Sequence, residues 1–448
     1  MTSVEQLAPL ASESPLVAGE LWLRTGAWYG DRKLRLPVPS SWHVKVYAPD
    51  AGMPLTDTQI SEQLESPVGQ ATIRELCRGK ARPVVIVDDL NRPTPAFRVV
   101  PTLLRHFQDA GIAPRDVGIV MACGTHGAPP PDALVKKVGE AAAGSCRLYV
   151  HDCNRDVVKV GRTSFGTPVY VNKHVAACDV VIGVGGLYPN YTAGFGGGSK
   201  LALGVLGFAS IAALHFGHQA MGWGTPNGRS NFRRDLDEIA RMIGLHTTVS
   251  LLVNHERQVV ALSCGDPLAY YAGAIRSAQA AYRAPPPDEN ADVVVSNAYP
   301  SDLSLTFARM KGIGPLSRAP LGASRIAIAA CSEGLGFHGL FPFMNAPRYH
   351  SLRMMAERAR VLLTRPRLLA QKIYRRLSCR RRVIRAARNP IWLYQPNVAD
   401  APTLTAEIPG MRVASSWDEI VEAVSREQQG RDHLRVVTYG CAPLQWLD

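Results

Sequence analysis

From about residue 83 onward, short apolar runs alternate with longer stretches of helical spacing, and this alternation constrains the fold more than any other feature. Val84-Val85-Ile86-Val87 is a brief apolar run that ends in two acids, and helical spacing follows from Phe97 to Gly111. Val117 to Met121 reads as a strand, Asp132 to Ala143 as a helix, Arg147 to Val150 as a strand and Cys178 to Val184 as another buried strand. Helical stretches follow at about 208–221, 229–243 and 266–283. Such an order requires a mostly parallel sheet covered on both faces. The Pro-rich stretch 284–290 is stiff and polar, the best candidate for a linker. Beyond it, strands at 292–296 and 325–331, a helix at about 416–426 and a strand at 434–440 describe a second α/β unit. The expected fold is therefore two α/β domains with mostly parallel sheets. The N-terminal domain covers 1–283, opening with short strands around turns at 20–23, 33–36 and 43–47, and the C-terminal domain covers 291–448.

With 46% hydrophobic and 19% charged residues in 448, the chain can bury a sizeable core. No apolar run approaches the roughly 20 residues of a membrane span, and Met1 to Pro15 lacks the pattern of a signal peptide. The nine cysteines stand singly with no CxxC pair, which argues against a zinc ribbon or a disulfide framework. A reduced, cytoplasmic setting is the simplest expectation.

The formal charge of +13 suggests a polyanionic partner if taken globally. It is local, however. Between Arg348 and Arg388 fourteen Lys or Arg meet one acid, Glu357, so this segment accounts for the whole excess. Leu368, Leu369, Ile373, Leu377, Val383 and Ile384 recur among these cations at roughly helical spacing. The 345–392 stretch reads as a basic helical insertion. It is either a helix packed by its apolar stripe, a surface for membrane, RNA or another acidic partner, or a lid that attracts an anionic substrate.

In doubly wound sheets ligands gather beyond the carboxyl ends of strands. The first such loop here is Asp88-Asp89-Leu90-Asn91-Arg92-Pro93-Thr94-Pro95, stiffened by two prolines. It suits a ligand or an Asp–Arg pair capping the next helix. The second, Cys123-Gly124-Thr125-His126-Gly127, sets a His between glycines, where it can approach a ligand closely or serve the structure alone. The third runs from Gly185 through Asn190 to Gly196-Gly197-Gly198-Ser199-Lys200. Its glycines could turn N–H groups toward an anion. A Walker loop is excluded, because that motif ends Gly-Lys-Ser/Thr and this one ends Ser199-Lys200-Leu201. Lys200 suits a phosphate contact or an acyl acceptor. His215 and His218, three apart on an expected helix, can share one face.

Taken together, Asp89-x-x-Arg92-Pro, Gly124-Thr-His126, the 189–200 loop ending in Lys200 and a following His resemble the lactate racemase family. The likeness extends to Tyr29-Gly30, His151-Asp152 and Tyr299-Pro300-x-Asp302. It implies a racemase or epimerase of a 2-hydroxy acid with its active site in the cleft between the two domains. The implied cofactor is a nickel-pincer nucleotide, pyridinium-3,5-bisthiocarboxylic acid mononucleotide with nickel, which is supplied by cofactor-synthesis enzymes. By this resemblance Lys200 is the covalent tether within a cofactor-binding loop of Gly196, Gly197, Gly198 and Ser199. His215 binds nickel, with His218 as the fallback. His126 takes the hydroxyl proton, Arg92 holds the substrate carboxylate, Asp89 positions Arg92 or the cofactor, and Lys311 is a second cationic contact. Imidazole and soft sulfur donors suit square-planar nickel.

Several positions depart from the family pattern. Where the family has a second catalytic histidine this chain has Asn190, and an amide cannot take a proton at ordinary pH. Gly127 replaces a common arginine, Phe307 and Ala308 stand where Tyr-Gln is usual, and Leu203-Gly204 replaces Pro-Gly. The expected substrate is thus a 2-hydroxy acid other than plain lactate, with Asn190 binding a substrate or keto-acid oxygen. The alternatives are a one-faced redox enzyme on the same cofactor and a non-catalytic binding protein of the family.

Overall fold

The computed structural model describes residues 16–17, 19–49, 52–225, 230–341, 348–366, 369–371, 373–374, 389–396, 403–404, 408 and 410–442. Two compact units divide the chain, and neither is continuous in sequence. One comprises residues 1–50, 280–336 and 382–448, the other 51–279 and 337–381. The 284–290 stretch falls within the range of the first unit.

The second unit is built on six strands in the spatial order Val259–Gly265, Leu245–Val253, Val180–Gly186, Pro83–Asp88, Gly118–Ala122 and Arg147–Val150. All neighbours are parallel except Val259–Gly265, which returns antiparallel on Leu245–Val253. Pro83–Asp88 and Val180–Gly186 are buried at every position, as central strands covered on both faces must be. Chain order runs outward from Pro83–Asp88 in one direction and from Val180–Gly186 in the other. The topological switch point therefore lies between these two strands, and a crevice opens there beyond their carboxyl ends. The Asp88–Pro95 loop and the 187–200 loop both emerge at that point.

The first unit holds a six-stranded, wholly parallel sheet in the order Met411–Ala414, Ile391–Tyr394, Ser324–Ile328, Val293–Asn297, Leu434–Tyr439 and Trp42–Tyr47. Its last strand comes from the start of the chain, pairing Trp42 with Leu434 through Tyr47 with Tyr439. A three-stranded antiparallel sheet of Leu16–Val17, Glu20–Thr25 and Arg32–Pro37 accompanies it. Leu21, Leu23, Leu34 and Leu36 join the core of the parallel sheet. Asp302 is buried here, its Oδ2 accepting from the Gly26 N–H at 2.8 Å, and burial pushes its carboxyl up.

Three local expectations change. The helix expected over 132–143 breaks into Ala133–Val138 and Glu140–Ser145, because Gly139 adopts φ +84°. The helix expected over 208–221 is Phe208–Gly217, so His218 lies in extended backbone (φ −127°, ψ 165°) and shares no helical face with His215. In the basic segment the long helix is Arg348–Leu363, earlier than the Leu368–Ile384 spacing suggested, and it ends ahead of Pro366. Leu368, Leu377, Val383 and Ile384 lie outside the described residues. The described strands Leu245–Val253, Val259–Gly265, Ile391–Tyr394 and Met411–Ala414 had no counterpart in the sequence reading.

Candidate active site

The Asp88–Pro95 loop is held from beneath. Asp88 Oδ1 accepts from the fully buried Lys137 ammonium at 2.9 Å, and its Oδ2 accepts from Thr94 Oγ1 at 2.6 Å and from the Gly186 N–H at 3.1 Å. Lys137 also donates to the carbonyls of Arg92 and Thr94. A buried ammonium without acceptors would be severely penalised; here it ties the two ends of the Asp88–Pro95 loop together. Asp88 thus serves the frame and leaves Asp89 to face the site.

Asp89 Oδ2 lies 2.6 Å from His126 Nδ1 and accepts from Asn91 Nδ2 at 2.8 Å. Burial works to raise this carboxyl, but the His126 and Arg92 charges and the two hydrogen bonds outweigh it, so it is held below the usual carboxylate range. An ionised carboxylate can only accept, so Nδ1 of His126 carries a proton directed at Asp89. The pair has the logic of an oriented general base. Asp89 was expected to position Arg92 or the cofactor; its hydrogen bonds go to His126 and Asn91. Arg92 turns back from the same loop, its Nη1 donating to the Asn91 carbonyl at 3.2 Å.

Gly124 (φ +53°) and Gly127 (φ +90°) flank His126 in backbone conformations that favour glycine. A Cβ on Gly127 would press on the Phe337 ring at 3.2 Å, so the arginine of the family pattern would strain the backbone here and require Phe337 to shift. Phe337 leads into His338, which the sequence reading missed. The rings of His126 and His338 are 5.0 Å apart, and the Gly339 N–H donates to the Thr125 carbonyl at 2.8 Å. Desolvation, with the nearby His126, His215 and Arg92 charges, holds His338 well below the ordinary imidazole value. Its Nδ1 accepts from the Leu340 N–H at 3.2 Å, so the neutral ring carries its proton on Nε2 as a donor. A signal was present: Gly336-Phe337-His338-Gly339 repeats the pattern Gly124-Thr125-His126-Gly127.

In the third loop Gly197 and Gly198 take φ +72° and +53°. The Gly196 N–H donates to Tyr188 and the Gly198 N–H to Ser250 and Tyr270, while Ser199 Oγ donates to Asp237 at 2.5 Å. These groups shape the loop from inside. Buried Arg233 clamps it, donating to the carbonyls of Gly197 (3.1 Å) and Phe195 (2.8 Å) and to Tyr271, whose ring it also covers. Lys200 begins the next turn, in the 3-10 helix Gly198–Val205. Among the described residues its ammonium has neither a hydrogen-bond nor an ion-pair partner. Desolvation, helped by the Arg92 and Arg233 charges and opposed by Asp89 and Asp88, pushes it down to about 7. Part of Lys200 remains open to solvent. A large fraction of the amine is therefore neutral near pH 7, the form that attacks acyl groups.

His215 sits in the last turn of Phe208–Gly217 between Phe232 and Phe341. Its Nδ1–H donates to the Ile211 carbonyl at 2.9 Å, and desolvation lowers it to about 4. The ring is neutral, with Nε2 bare among the described residues, as a metal-ligating imidazole requires. His218 differs. Its Nε2 lies 2.7 Å from buried Asp235, which also accepts from Thr167. No group of three or more His, Cys, Asp or Glu able to hold a metal occurs among the described residues. One imidazole with an open Nε2 suits a metal whose other donors come from a cofactor.

Asn190 sits in a turn, its Oδ1 accepting from the N–H groups of Thr192 and Ala193, and its NH2 group has no hydrogen-bond partner among the described residues. Lys311 belongs to the other unit, in a π-helical turn at Ala308–Gly312. The second unit thus brings together Asp89, Arg92, His126, His338, Lys200 and His215 at the switch point, a grouping that the mutual electrostatic effects reflect.

Residues 29–225 match the lactate racemase N-terminal domain. A lactate racemase of Lactiplantibacillus plantarum is 25% identical over 292 residues, covering 63% of this chain and 68% of the relative. One of Thermoanaerobacterium thermosaccharolyticum is 26% identical over 330 residues, covering 70% and 76%. The fold is similar to that of the lactate racemase apoprotein from Thermoanaerobacterium thermosaccharolyticum, with a TM-score of 0.65 and 18% identity over 95% of this chain and 99% of that one. Residues 29–225 thus match the lactate racemase N-terminal domain, and the whole chain resembles lactate racemases in sequence and in fold.

Proposed function

We propose that this protein is a racemase-type isomerase that interconverts the two configurations of a 2-hydroxy acid at its hydroxyl-bearing carbon. The observation that carries this reading is the meeting of three groups at one switch point: the Lys200 amine and the Nε2 of His215, neither with a hydrogen-bond partner among the described residues, and the Asp89–His126 pair. The first two fit the nickel-pincer nucleotide of the family, Lys200 as its acyl tether and His215 as the protein's ligand to nickel. Bound there, the nucleotide would supply acceptance and return of a hydride at the substrate's α-carbon.

The chain's own residues handle the rest. An alcohol is far too weak an acid to ionise unaided near neutrality, so its proton needs a placed acceptor. His126 Nε2 is that acceptor, held by Asp89 at Nδ1. Arg92 binds the carboxylate through paired charged hydrogen bonds. His338, neutral and with its proton on Nε2, donates a hydrogen bond to a substrate oxygen beside His126. The Asn190 NH2 group offers a second donor. The role of Lys311 as a further cation rests on the resemblance alone.

With His126 as the one oriented base and Asn190 unable to take a proton, inversion would require the substrate to present both of its faces from one side of the site. Asn190 thereby favours one rival, a one-faced redox enzyme on the same cofactor. Enzyme co-expressed with the cofactor-making proteins and given single enantiomers of varied 2-hydroxy acids distinguishes them. Optical inversion is expected for at least one acid. Oxidation or exchange without inversion for every acid sinks the racemase reading.

A further inference from the structure

The most cationic part of the chain takes no part in the site just described. Helix Arg348–Leu363 packs on Phe208–Gly217, the helix that carries His215. Val361 is buried in that core and Met354 packs against it. Arg365 donates to the carbonyls of Gly217 at 2.6 Å and Phe165 at 2.9 Å, and Arg353 lies 4.2 Å over the Phe208 ring. These contacts fix which face of the helix points inward.

The opposite face is unusual. Leu352, Met355, Ala356, Ala359 and Leu363 follow one another at i, i+3, i+4, i+7 and i+11, so they line one side of the helix, and all are exposed. Leu352 is 59% and Leu363 75% accessible. Past Pro366, Ile373 and Tyr374 are exposed as well. Single exposed apolar residues are ordinary, but a contiguous stripe marks a surface that meets something. The cations stand beside the stripe: Arg358 on one flank, and on the other Arg360 with Arg353, whose guanidinium also donates to Asn154. The single acid of the segment, Glu357, is already paired with Arg360.

We infer that this face docks on an acidic phospholipid bilayer, with the helix lying in the headgroup layer, the Leu-Met stripe turned toward the acyl chains and the arginines on lipid phosphates. The charge complementarity names an anionic surface, and the aliphatic stripe selects lipid over nucleic acid. RNA would engage the arginines but would gain nothing from leucine and methionine turned toward it. A helix with an apolar stripe and basic flanks matches interfacial binding. No helix among the described residues is long and apolar enough to cross a membrane, so attachment through this face is peripheral.

The test uses the full chain in vesicle co-sedimentation, with phosphatidylcholine alone and with about a quarter phosphatidylglycerol, and with polyuridylate as the competing polyanion. Binding to the acidic vesicles alone is expected, at least tenfold weaker at about 0.5 M salt. Leu352→Glu with Leu363→Glu is expected to weaken it roughly a further tenfold or more, with the melting temperature unchanged. If the double variant melts lower, Leu363→Gln, at the most exposed position, gives the same reading. Acidic-vesicle binding that ignores both leucine variants overturns the proposal, as does binding to polyuridylate without vesicle binding, or binding to neither.

Discussion

Lys200 combines burial, two neighbouring guanidinium groups and the lack of a hydrogen-bond acceptor among the described residues, and each pushes its ammonium toward the neutral amine. In cofactor-free protein its neutral fraction grows as pH rises through about 7, so an amine-directed ester is expected to modify Lys200 ahead of the other lysines near neutrality. Peptide mapping after brief labelling checks this; labelling of Lys200 no faster than the exposed lysines contradicts it. The two histidines on either side of Gly217 separate by a different readout. His215→Ala is expected to abolish nickel retention in cofactor-loaded protein while leaving the fold intact. His218→Ala leaves the buried Asp235 carboxylate with only Thr167 of its two partners and is expected to cost about 1–3 kcal/mol of stability while nickel is retained, as paired metal analysis and denaturant midpoints will show. His215 also sets a pH dependence. Its folded value lies below its ordinary 6.5, at about 4, so the unfolded chain binds a proton in that window that the folded chain does not. Stability is therefore expected to be intact above 6.5 and to decline as pH falls toward 4, with buried His338 acting in the same direction and His215→Gln flattening the decline. Asp89→Asn leaves His126 without its orienting acceptor and is expected to slow inversion roughly 10²–10⁴-fold, read as kcat with near-normal substrate binding. Asn190→His places an imidazole where the resemblance puts a second catalytic base and is expected to raise the inversion rate.

At the scale of elements, the Gly-rich loop owes its shape to groups that local reading underrates. Four residues of this loop, Gly196 to Ser199, are chemically suggestive of anion binding, yet the N–H groups of Gly196 and Gly198 and the Ser199 hydroxyl bond to protein. The clamp comes from Arg233, in the helix Asn231–Met242, more than thirty residues downstream. Nothing in the local spacing links a helical arginine to Phe195 and Gly197, so this contact was illegible in sequence. Arg233→Met removes the guanidinium donors to Gly197, Phe195 and Tyr271, leaving the Lys200 N–H on Gly197 and the Tyr271 hydroxyl on Phe195, and is expected to cost about 1–3 kcal/mol, with slower labelling of Lys200 as a second sign that the loop has lost its shape. His126 and Lys200 were legible, because each lies in a short loop directly after a buried strand. His338 was missed for the opposite reason: it follows an irregular stretch rather than a strand, so only the repeated Gly-x-His-Gly pattern could have exposed it.

Across the whole molecule, sequence periodicity gave the α/β class and most central strands, since buried parallel strands write themselves as continuous Val and Ile. It could not say which strands pair. Trp42–Tyr47 lies nearly four hundred residues from its partner Leu434–Tyr439, and no local pattern encodes such a pairing. The same limit hid the antiparallel return of Val259–Gly265 on Leu245–Val253. The pairing of Pro83–Asp88 with Val180–Gly186 creates the switch point at which the Lys200 amine, the His215 imidazole and the Asp89–His126 pair gather. Intact mass and metal content after co-expression with the cofactor-making proteins test that most directly. The account predicts a covalent mass increase on the parent chain with about one nickel per chain, absent from Lys200→Ala, and nickel lost from His215→Ala. An unmodified parent chain under those conditions, or an adduct that survives Lys200→Ala, contradicts it.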